Sequence, residues 1–523
     1  MLTRDAKRIV ESFAALCNTA APRYEVVNKA GQDYLAIQVG GINDVYAAAV
    51  ERLKADTERT NPFGERLFLR ETTPAAWLLS QETQILQRLI SESLTVGRST
   101  LDSDFHEKFI PFLGGEEGRI YSKANHVVFG RRGAGKSSLV LYACHQARKA
   151  GFPFCWIAIQ QYRRRSDLQV VPQILAEIVE ALRGEPGADP VRVESLMRIV
   201  RGLEERRENL TKTEIAQVLP LFARDFLPFV KKRGQYYLFI DDLHLLHPNL
   251  QPFFLSSLYS FSRGNNVHLK ITAIENLTRL QNEGEQEGLQ TPGDAQIIRL
   301  DYNLVDPGRA HEHITEIVTS YVKYVGIPSP QALCGKGVAE RLTWVSAGVP
   351  RDALYIFSNA ITKAIAGKRK RIGLVDVNMS AADSLTEKEQ HVSEDVGEDA
   401  SSVLRAVDDI KAFCLREIKS NAFLVHLKSA SKLYQIIKKA SDLRFIHVLH
   451  PGITPEKAGE KYEAFMLDYA FYTGFRKAPS VRELRPTPTT TSAKELRKLQ
   501  RYPYETRLSL SPAMPEQGGV GLG

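Results

Sequence analysis

Short apolar runs alternate with helical periods through the middle of the chain. Five runs predict strands: "HVVFG", "FPFCWIAIQ" (152–160), "QYYLFID" (235–241), "VHLKITAI" (267–274) and "AQIIRLDY" (295–302). Helical patterns separate them, which is typical of a parallel sheet covered on both faces. The long stretch between the second and third runs predicts inserted helices over "RRRSDLQVVPQILAEIVEALRG" and "PVRVESLMRIVRGLEERRENL".

The chain on either side of this core has other patterns. Helical periods such as "INDVYAAAVERLKAD" and "ETQILQRLISESL" come before it, and a helical unit and a small mixed α+β unit follow. The end of the chain is rich in Pro, Thr, Ser and Gly, which favours a flexible tail or an extended arm. The predicted order is a helical N-terminal region (1–110), a P-loop core (111–307), a helical lid (308–385), a linker (386–400), a small C-terminal domain (401–477) and the tail (478–523).

Composition narrows the class of protein. A length of 523 residues predicts several domains, and 43% hydrophobic with 25% charged residues is typical of a globular protein. The net charge of +8 is mild, so it is compatible with an acidic partner without requiring one. The five cysteines have no metal-binding spacing, and no stretch is apolar enough for a signal peptide or membrane span. We therefore expect a cytoplasmic protein with reduced thiols and no membrane partner.

A glycine-rich loop follows the first predicted strand. "GRRGAGKS" has the spacing of a phosphate-binding loop, in which backbone amides surround the phosphates, a lysine binds the outer phosphates and a hydroxyl binds Mg²⁺. A helix follows, and its N-terminus favours anions. We expect an ATP and Mg²⁺ site, with Lys136 on the phosphates and Ser137 on the metal. The nucleotide-binding residues would be Gly130, Arg131, Arg132, Gly133, Ala134, Gly135, Lys136, Ser137 and Ser138.

Two acids end the third predicted strand. In a P-loop protein the first, Asp241, is expected to hold magnesium and the second, Asp242, to polarise the attacking water. The same pair without a P-loop would be an ordinary strand-to-loop cap. Because an aspartate is short, Asp242 would have to lie close to the water.

Two further residues are candidates for contact with the γ-phosphate. Asn276 follows the fourth predicted strand, where its amide could contact the phosphate or cap the loop. Arg351 follows Gly348 and Pro350, which end one helix and begin the next. A lone arginine in a first helical turn is poorly placed for the helix dipole, which favours an anionic partner for it.

In this order, "GRRGAGKSS", "LFIDDLHLL", "ITAIEN" and "AGVPRDAL" resemble the motifs of an AAA+ ATPase of the initiator branch. That branch includes origin-recognition-complex proteins and has the STAND proteins as cousins. The resemblance covers about 125–385 and implies that Asn276 and Arg351 are sensors of nucleotide state, the second on a lid. Asp242 is closer to the STAND pattern and the arginine of "GVPR" to the initiator pattern, so the branch stays open. Many hydrolytic members have Glu in place of Asp242, and slow turnover is therefore expected.

The resemblance also implies assembly and a further domain. Such proteins often form homo-oligomers whose sites are completed by a neighbour's arginine, and Arg263 is a candidate for it. Many carry a winged-helix domain after the lid, and residues 401–477 fit that order of elements. One face of its later helix is a basic stripe that could track DNA phosphates or be only a solvated surface. The candidate DNA-binding residues are Lys428, Lys432, Gln435 and Lys439.

Two functions fit these patterns. One is a slow ATPase switch that couples nucleotide state to duplex DNA and partner assembly, in replication, transposition, mobile-element maintenance or defence. The other is a STAND-like signalling or antiviral defence scaffold that oligomerises and controls a separate effector without binding DNA. The expected fold is α/β: a five-stranded parallel P-loop core with a helical lid, a helical N-terminal region and a small winged-helix-like α+β domain.

Overall fold

The computed structural model describes most of the chain. The described residues are 2–29, 31–57, 60–74, 76–97, 111–112, 114–206, 209–300, 303–396, 399–454, 460–474 and 480–510.

The N-terminal region contains the predicted helices and also a small sheet. Its helices are α1 (Leu2–Cys17), α2 (Asp44–Thr57) and α3 (Gln81–Ser93). Its strands are β1 (Tyr24–Lys29), β2 (Gln32–Val39) and β3 (Leu67–Glu71), with β2 in the middle, antiparallel to β1 and parallel to β3. The sequence did not predict this sheet, because β1 is polar and exposed along much of its length and lacks a continuous apolar run.

The central sheet has five parallel strands. They are β4 (His126–Phe129), β5 (Phe154–Ala158), β6 (Tyr236–Asp241), β7 (Val267–Ala273) and β10 (Gln296–Arg299), and the hairpin strands β8 (Gln281–Asn282) and β9 (Glu287–Gly288) lie apart from it. Their order in space is β10-β4-β7-β6-β5. β4, which leads into the phosphate loop, therefore lies beside β7, and β7 lies between it and β6, which ends in the acidic pair. The middle strands β4, β6 and β7 are buried along their whole length, which explains their unbroken apolar runs.

Helices cover this sheet and form the predicted insertion. They are α4 (Glu116–Ile120), α5 (Lys136–Lys149), α6 (Val170–Arg183), α7 (Pro190–Glu204), α8 (Lys212–Arg233) and α9 (Gln251–Ser262). Between β5 and β6 the chain forms α6, α7 and α8. Thr211 and Glu214 form a reciprocal capping box that fixes where α8 begins.

The lid is helical, as predicted. It consists of α10 (Pro307–Tyr324), α11 (Pro330–Leu333), α12 (Val338–Ser346), α13 (Pro350–Ala366) and α14 (Leu374–Val396). Most of the segment expected to be a linker, 386–400, is helical because α14 continues to Val396. Its polar sequence resembles a linker, yet Lys388 is buried and makes an ion pair with Asp468, 2.6 Å from Nζ to Oδ2.

The C-terminal domain has the order of elements of a winged helix, which confirms that part of the expected fold. It consists of α15 (Ala400–Ala412), β11 (Ala422–His426), α16 (Lys432–Asp442), β12 (Ile446–Ile453) and β13 (Tyr462–Leu467). β13 pairs antiparallel with both β12 and β11. Part of the predicted wing, 455–459, lies outside the described residues.

Residues 480–510 of the tail pack on this domain. They form α17 (Ala493–Leu496), β14 (Arg501–Tyr502) and α18 (Tyr504–Leu510), and β14 joins the edge of the sheet parallel to β11. Tyr502 and Tyr504 are buried, and the Arg507 guanidinium donates to the carboxylates of Asp409 and Glu417. This arm therefore completes the sheet and the core of the C-terminal domain.

The apolar cores do not follow the order of the chain. One continuous cluster joins residues from the N-terminal region (6–90), the lid and the C-terminal domain (304–508). The two clusters of the central sheet contain only residues 112–300. Within the described residues, no helix combines the length and hydrophobicity that a membrane crossing needs.

Candidate nucleotide-binding site

The phosphate loop lies between the end of β4 and the start of α5. Gly133 and Gly135 have φ of +82° and +94°, values that favour glycine. A Cβ at Gly133 would lie 2.9 Å from Cβ of Arg351, and one at Gly135 would lie 3.0 Å from Cζ of Phe112. Glycine is thus required at both positions by backbone conformation and by close neighbours.

The other glycine and the alanine of the loop fix its base. The Gly130 amide donates to the carbonyl of Ala273 at the end of β7, at 3.3 Å. The Ala134 amide donates to the carbonyl of Arg131 at 3.1 Å, which closes a tight turn inside the loop. The loop is therefore held both by the sheet and by its own backbone.

Lys136 is buried at the centre of the loop. Its Nζ donates to the carbonyls of Gly130 and Arg131, at 3.0 and 3.2 Å, and lies 4.0 Å from Oδ1 of Asp242. The ammonium group is thus placed between the loop backbone and the acidic pair, where a phosphate chain would lie.

Asp241 lies at the end of β6 within hydrogen-bonding reach of the first turn of α5. Its carboxylate is hydrogen-bonded to Ser137, and Oδ1 accepts from the Thr272 hydroxyl at 2.5 Å. Burial, together with the neighbouring charge of Asp242, raises the pKa of Asp241 to about 6. A hydroxyl and a carboxylate in contact are oxygen ligands of the kind that Mg²⁺ prefers.

Asp242 begins the loop after β6 in a left-handed conformation, with φ of 59° and ψ of 47°. Few residues other than glycine adopt it without cost, and such conformations concentrate at functional sites. Its amide donates to Oγ1 of Thr272 at 2.9 Å, so one threonine in β7 holds both acids. Sequence analysis missed Thr272; the only sign was a hydroxyl within an apolar strand.

One cavity of about 480 Å³ joins these groups. Its phosphate side is lined by Arg132, Gly133, Gly135, Lys136, Ser137, Ser138, Asp241, Asp242 and His244. Its other side is lined by residues of the N-terminal region and the lid, which sequence analysis missed: Leu94, Thr95, Val96, His313, Ile317, Tyr321 and Leu354. Phe112 stacks on His313 with 5.7 Å between ring centroids, and this apolar side suits a flat base.

Arg351 lies on the cavity wall, beside the phosphate loop. Its amide donates to the carbonyl of Gly133 at 3.3 Å, so the first turn of α13 rests directly on the phosphate loop. The lid helix α13 therefore contacts the phosphate loop through the backbone of Arg351 itself.

Two expected site residues point elsewhere. The Asn276 amide donates to Oδ2 of Asp442 in the C-terminal domain at 2.8 Å, so it does not face the phosphates, which was one of the two roles that the sequence left open. The Arg131 guanidinium also points to the lid and the C-terminal domain, at 3.1 Å from the carbonyl of Ala347 and 3.4 Å from Nδ1 of His447. Both residues connect the rim of the site to the rest of the molecule.

The predicted basic stripe is largely engaged within the chain, and its first member, Lys428, precedes α16 instead of lying on it. Lys428 donates to both carboxylate oxygens of Glu505 in the tail, at 3.0 and 2.9 Å, and Lys439 pairs with Asp399. The Gln435 side chain donates to the carbonyl of Ser429 at 2.7 Å, while Lys432 is exposed. In this conformation the positive charge of the stripe is partly neutralised.

Comparisons with known proteins find only distant similarity. No family model and no curated protein matches the chain. Among solved structures, Cdc6p from Pyrobaculum aerophilum is 14% identical, over 72% of this chain and 95% of that one, with a TM-score of 0.36. The Orc1 protein of Aeropyrum pernix in complex with DNA is 14% identical, over 71% and 93%, with a TM-score of 0.38. A Walker-type ATPase of Pyrococcus abyssi is 13% identical, over 69% and 97%, with a TM-score of 0.40.

These likenesses are too distant to add to what the sheet order and the site geometry establish. The five-stranded parallel sheet, the phosphate loop between β4 and α5, the lid helix on that loop and the winged-helix-like domain are all present in the chain itself. The chain therefore has the fold that the resemblance to AAA+ ATPases implied.

Proposed function

We propose that this chain is a magnesium-dependent ATPase that works as a slow molecular switch. The observation that carries the proposal is the meeting of Lys136, the Ser137–Asp241 pair and Asp242 in one cavity beneath the lid residue Arg351. Lys136 binds the outer phosphates, and Ser137 and Asp241 hold the magnesium ion, which would offset phosphate charge. Asp242 orients and polarises the attacking water.

The turn between α16 and β12 would pass the change of nucleotide state to the C-terminal domain. Residues 442–447, from the end of α16 to the start of β12, make contacts at three places around the cavity. Asp442 accepts from Asn276, Arg444 pairs with Asp352 next to Arg351, and His447 lies against Arg131. Closure of the lid on ATP would shift these contacts together, which supports a switch rather than a motor.

The activity of the switch is tested by ATP hydrolysis and ATP binding in wild type, Lys136→Ala and Lys149→Ala. Lys149 is exposed in the last turn of the same helix and serves as the matched control. We expect turnover and tight ATP binding to be lost in Lys136→Ala and retained in Lys149→Ala. Equal nucleotide binding by wild type and Lys136→Ala would exclude this site.

There are two candidates for the partner that the switch controls. A duplex-DNA partner is supported by the winged-helix-like order of elements and by the exposed Lys432. A scaffold that assembles into a homo-oligomer and controls a separate effector, as in defence, is supported by the pairing of Lys428 with Glu505 and of Lys439 with Asp399.

Duplex DNA separates the two candidates. If DNA is the partner, turnover rises with duplex and the effect weakens between low and high salt, because phosphate contacts release counterions. The double variant Lys428→Ala/Lys432→Ala should then lose the stimulation and keep basal turnover. If the scaffold is correct, DNA changes nothing and ATP shifts the mass of the protein measured by light scattering.

A further inference from the structure

Three consecutive arginines follow β5, and the structure gives each a different place. Arg165 donates to Asp167 and to Gln173, and Arg164 is exposed. Arg163 lines the nucleotide cavity together with Lys136, Asp242 and His244. The sequence motif "RRR" therefore contributes one arginine to the candidate site.

The position of Arg163 follows from the sheet. Ala158, the last residue of β5, is in register with Asp241 at the end of β6, so both strands leave the sheet at the same edge. A single 3₁₀ turn, Ile159–Tyr162, then brings the chain to Arg163. Arg163 thus enters the cavity from the side of the acidic pair, whereas Arg351 enters from the lid.

The loop that carries Arg163 is held firmly. The Arg164 amide donates to the carbonyl of Leu245 at 2.8 Å, and the His247 amide donates to the carbonyl of Arg165 at 3.2 Å. Arg164 has a left-handed φ of 59°, which these two bonds help to maintain. The loop is therefore fixed to the segment that begins with Asp242, the residue expected to polarise the water.

The charges in the cavity also favour a further cation at this side. Lys136 and the proposed magnesium ion offset part of the charge of Asp241, Asp242 and the γ-phosphate, and an arginine beside Asp242 would offset more of it. A guanidinium group is planar and matches two phosphate oxygens at once, which suits it to the charge that develops during phosphoryl transfer.

Arg263 is the sequence candidate for this role, as an arginine supplied by a neighbouring chain. Arg263 follows α9 at the start of the loop that leads into β7, and its guanidinium lies over the Tyr259 ring at 5.9 Å. The phosphate loop contacts the opposite end of β7, at Ala273. Arg263 therefore lies far from the cavity of its own chain.

We propose that Arg163 is an arginine finger supplied by the same chain, which binds the γ-phosphate beside Asp242 and stabilises it during hydrolysis. This inference rests on the proposed ATPase function. It assigns the stabilising arginine to the end of β5, so that turnover does not require an arginine from a second copy.

The test compares Arg163→Ala and Arg163→Lys with the control Arg164→Asn, which removes the neighbouring charge and suits the left-handed backbone. Single-turnover ATP hydrolysis and the affinities for ATP and ADP are measured for each. We expect Arg163→Ala to slow hydrolysis by roughly a thousandfold or more, as loss of an arginine finger does. ADP affinity should stay within about twofold and ATP affinity should fall, because only ATP has the γ-phosphate. Arg163→Lys should recover part of the rate, and Arg164→Asn should match wild type.

A mixing experiment distinguishes the source of the arginine. Lys136→Ala keeps Arg163, and Arg163→Ala keeps the phosphate loop, so a finger acting between chains would restore turnover in the mixture. We expect no restoration. Restored turnover, or hydrolysis by Arg163→Ala within about threefold of wild type while Lys136→Ala is inactive, would overturn the inference and leave the ATPase function standing. A wild type that binds no nucleotide would overturn both.

Discussion

Asp241 is placed where folding and function make opposite demands. Burial and the adjacent Asp242 raise its pKa to about 6, so the protein without metal stabilises the protonated form. Stability from this group is fully present below the ordinary carboxyl pKa and is lost as pH rises through about 6. Under the proposed function magnesium would bind the ionised form, so the ion would offset the free-energy cost of a buried charge at neutral pH.

Asp241→Asn is therefore expected to stabilise the nucleotide-free protein at pH 8 while it abolishes magnesium-dependent turnover. The asparagine can still accept from Thr272, and the buried charge is gone. The free energy of unfolding is expected to rise by about 1–3 kcal/mol at pH 8 and to be unchanged near pH 4. Thermal unfolding at the two pH values measures it. Asp408→Asn, an exposed control, should change neither quantity, and a lower melting temperature for Asp241→Asn at pH 8 would contradict the expectation.

The sequence predicts single residues well where the backbone leaves no choice. The loop glycines and Lys136 lie where their spacing implied, because a strand, a tight turn and a helix determine the geometry. The direction of a loop side chain is not determined in this way. Asn276 could turn either to the cavity or to the next domain, and only the position of Asp442 decides.

Among the elements, the turn at 442–447 links the C-terminal domain to the rim of the site at three places. The ion pair of Arg444 with Asp352 is largely buried, with side chains 8% and 12% exposed. Removing one partner of such a pair leaves the other charge without compensation.

Arg444→Ala is expected to lower the free energy of unfolding by about 3 kcal/mol, because Asp352 would keep its buried charge. ATP affinity should remain, since the phosphate loop is untouched, while any change in the C-terminal domain on ATP binding should weaken. Chemical unfolding and protease protection with and without ATP measure the two effects. Arg485→Ala removes an arginine that is 63% exposed, and a loss of stability as large as that of Arg444→Ala would argue against the role of burial.

Strong periodicity made most elements predictable. All five central strands and the helices of the lid and the C-terminal domain appear near the expected segments. The N-terminal sheet was missed because β1 is largely exposed and lacks a continuous apolar run, and the helix over 386–396 was missed because its sequence is polar. Pairing with β2 places β1. For the helix, the burial of Lys388 against Asp468 supplies what the local sequence does not contain.

At the scale of the whole molecule, the N-terminal region is joined to the lid. Gly41 and Gly326 meet backbone to backbone: a Cβ at Gly41 would lie 1.9 Å from the carbonyl oxygen of Gly326. Asn43 donates to the carbonyl of Val325 at 3.0 Å, and Gln87 donates to that of Ser358 at 3.1 Å. These contacts continue the shared apolar cluster, so the region and the lid should move as one body against the central sheet.

Gly41→Ala is expected to weaken the contact between the N-terminal region and the lid. The added methyl group cannot fit against the Gly326 carbonyl, and we expect a loss of about 1–3 kcal/mol. Calorimetry should show a lower transition for the shared cluster and an unchanged transition for the central sheet. Gly202→Ala, at a helical site with open space around it, is the control and should be neutral or slightly stabilising. A uniform shift of the whole unfolding profile would mean that the two cores are not separate units.

The shared cluster determines when the N-terminal region can fold during synthesis. Chains leave the ribosome from the N-terminus, and domains fold as their parts emerge. The clusters of the central sheet are complete once residue 300 is made, so the sheet can fold early. The first ninety residues must instead wait for partners that end at Leu508. Until then they present an unpaired apolar face, which makes the nascent N-terminal segment a natural client of chaperones at the ribosome exit.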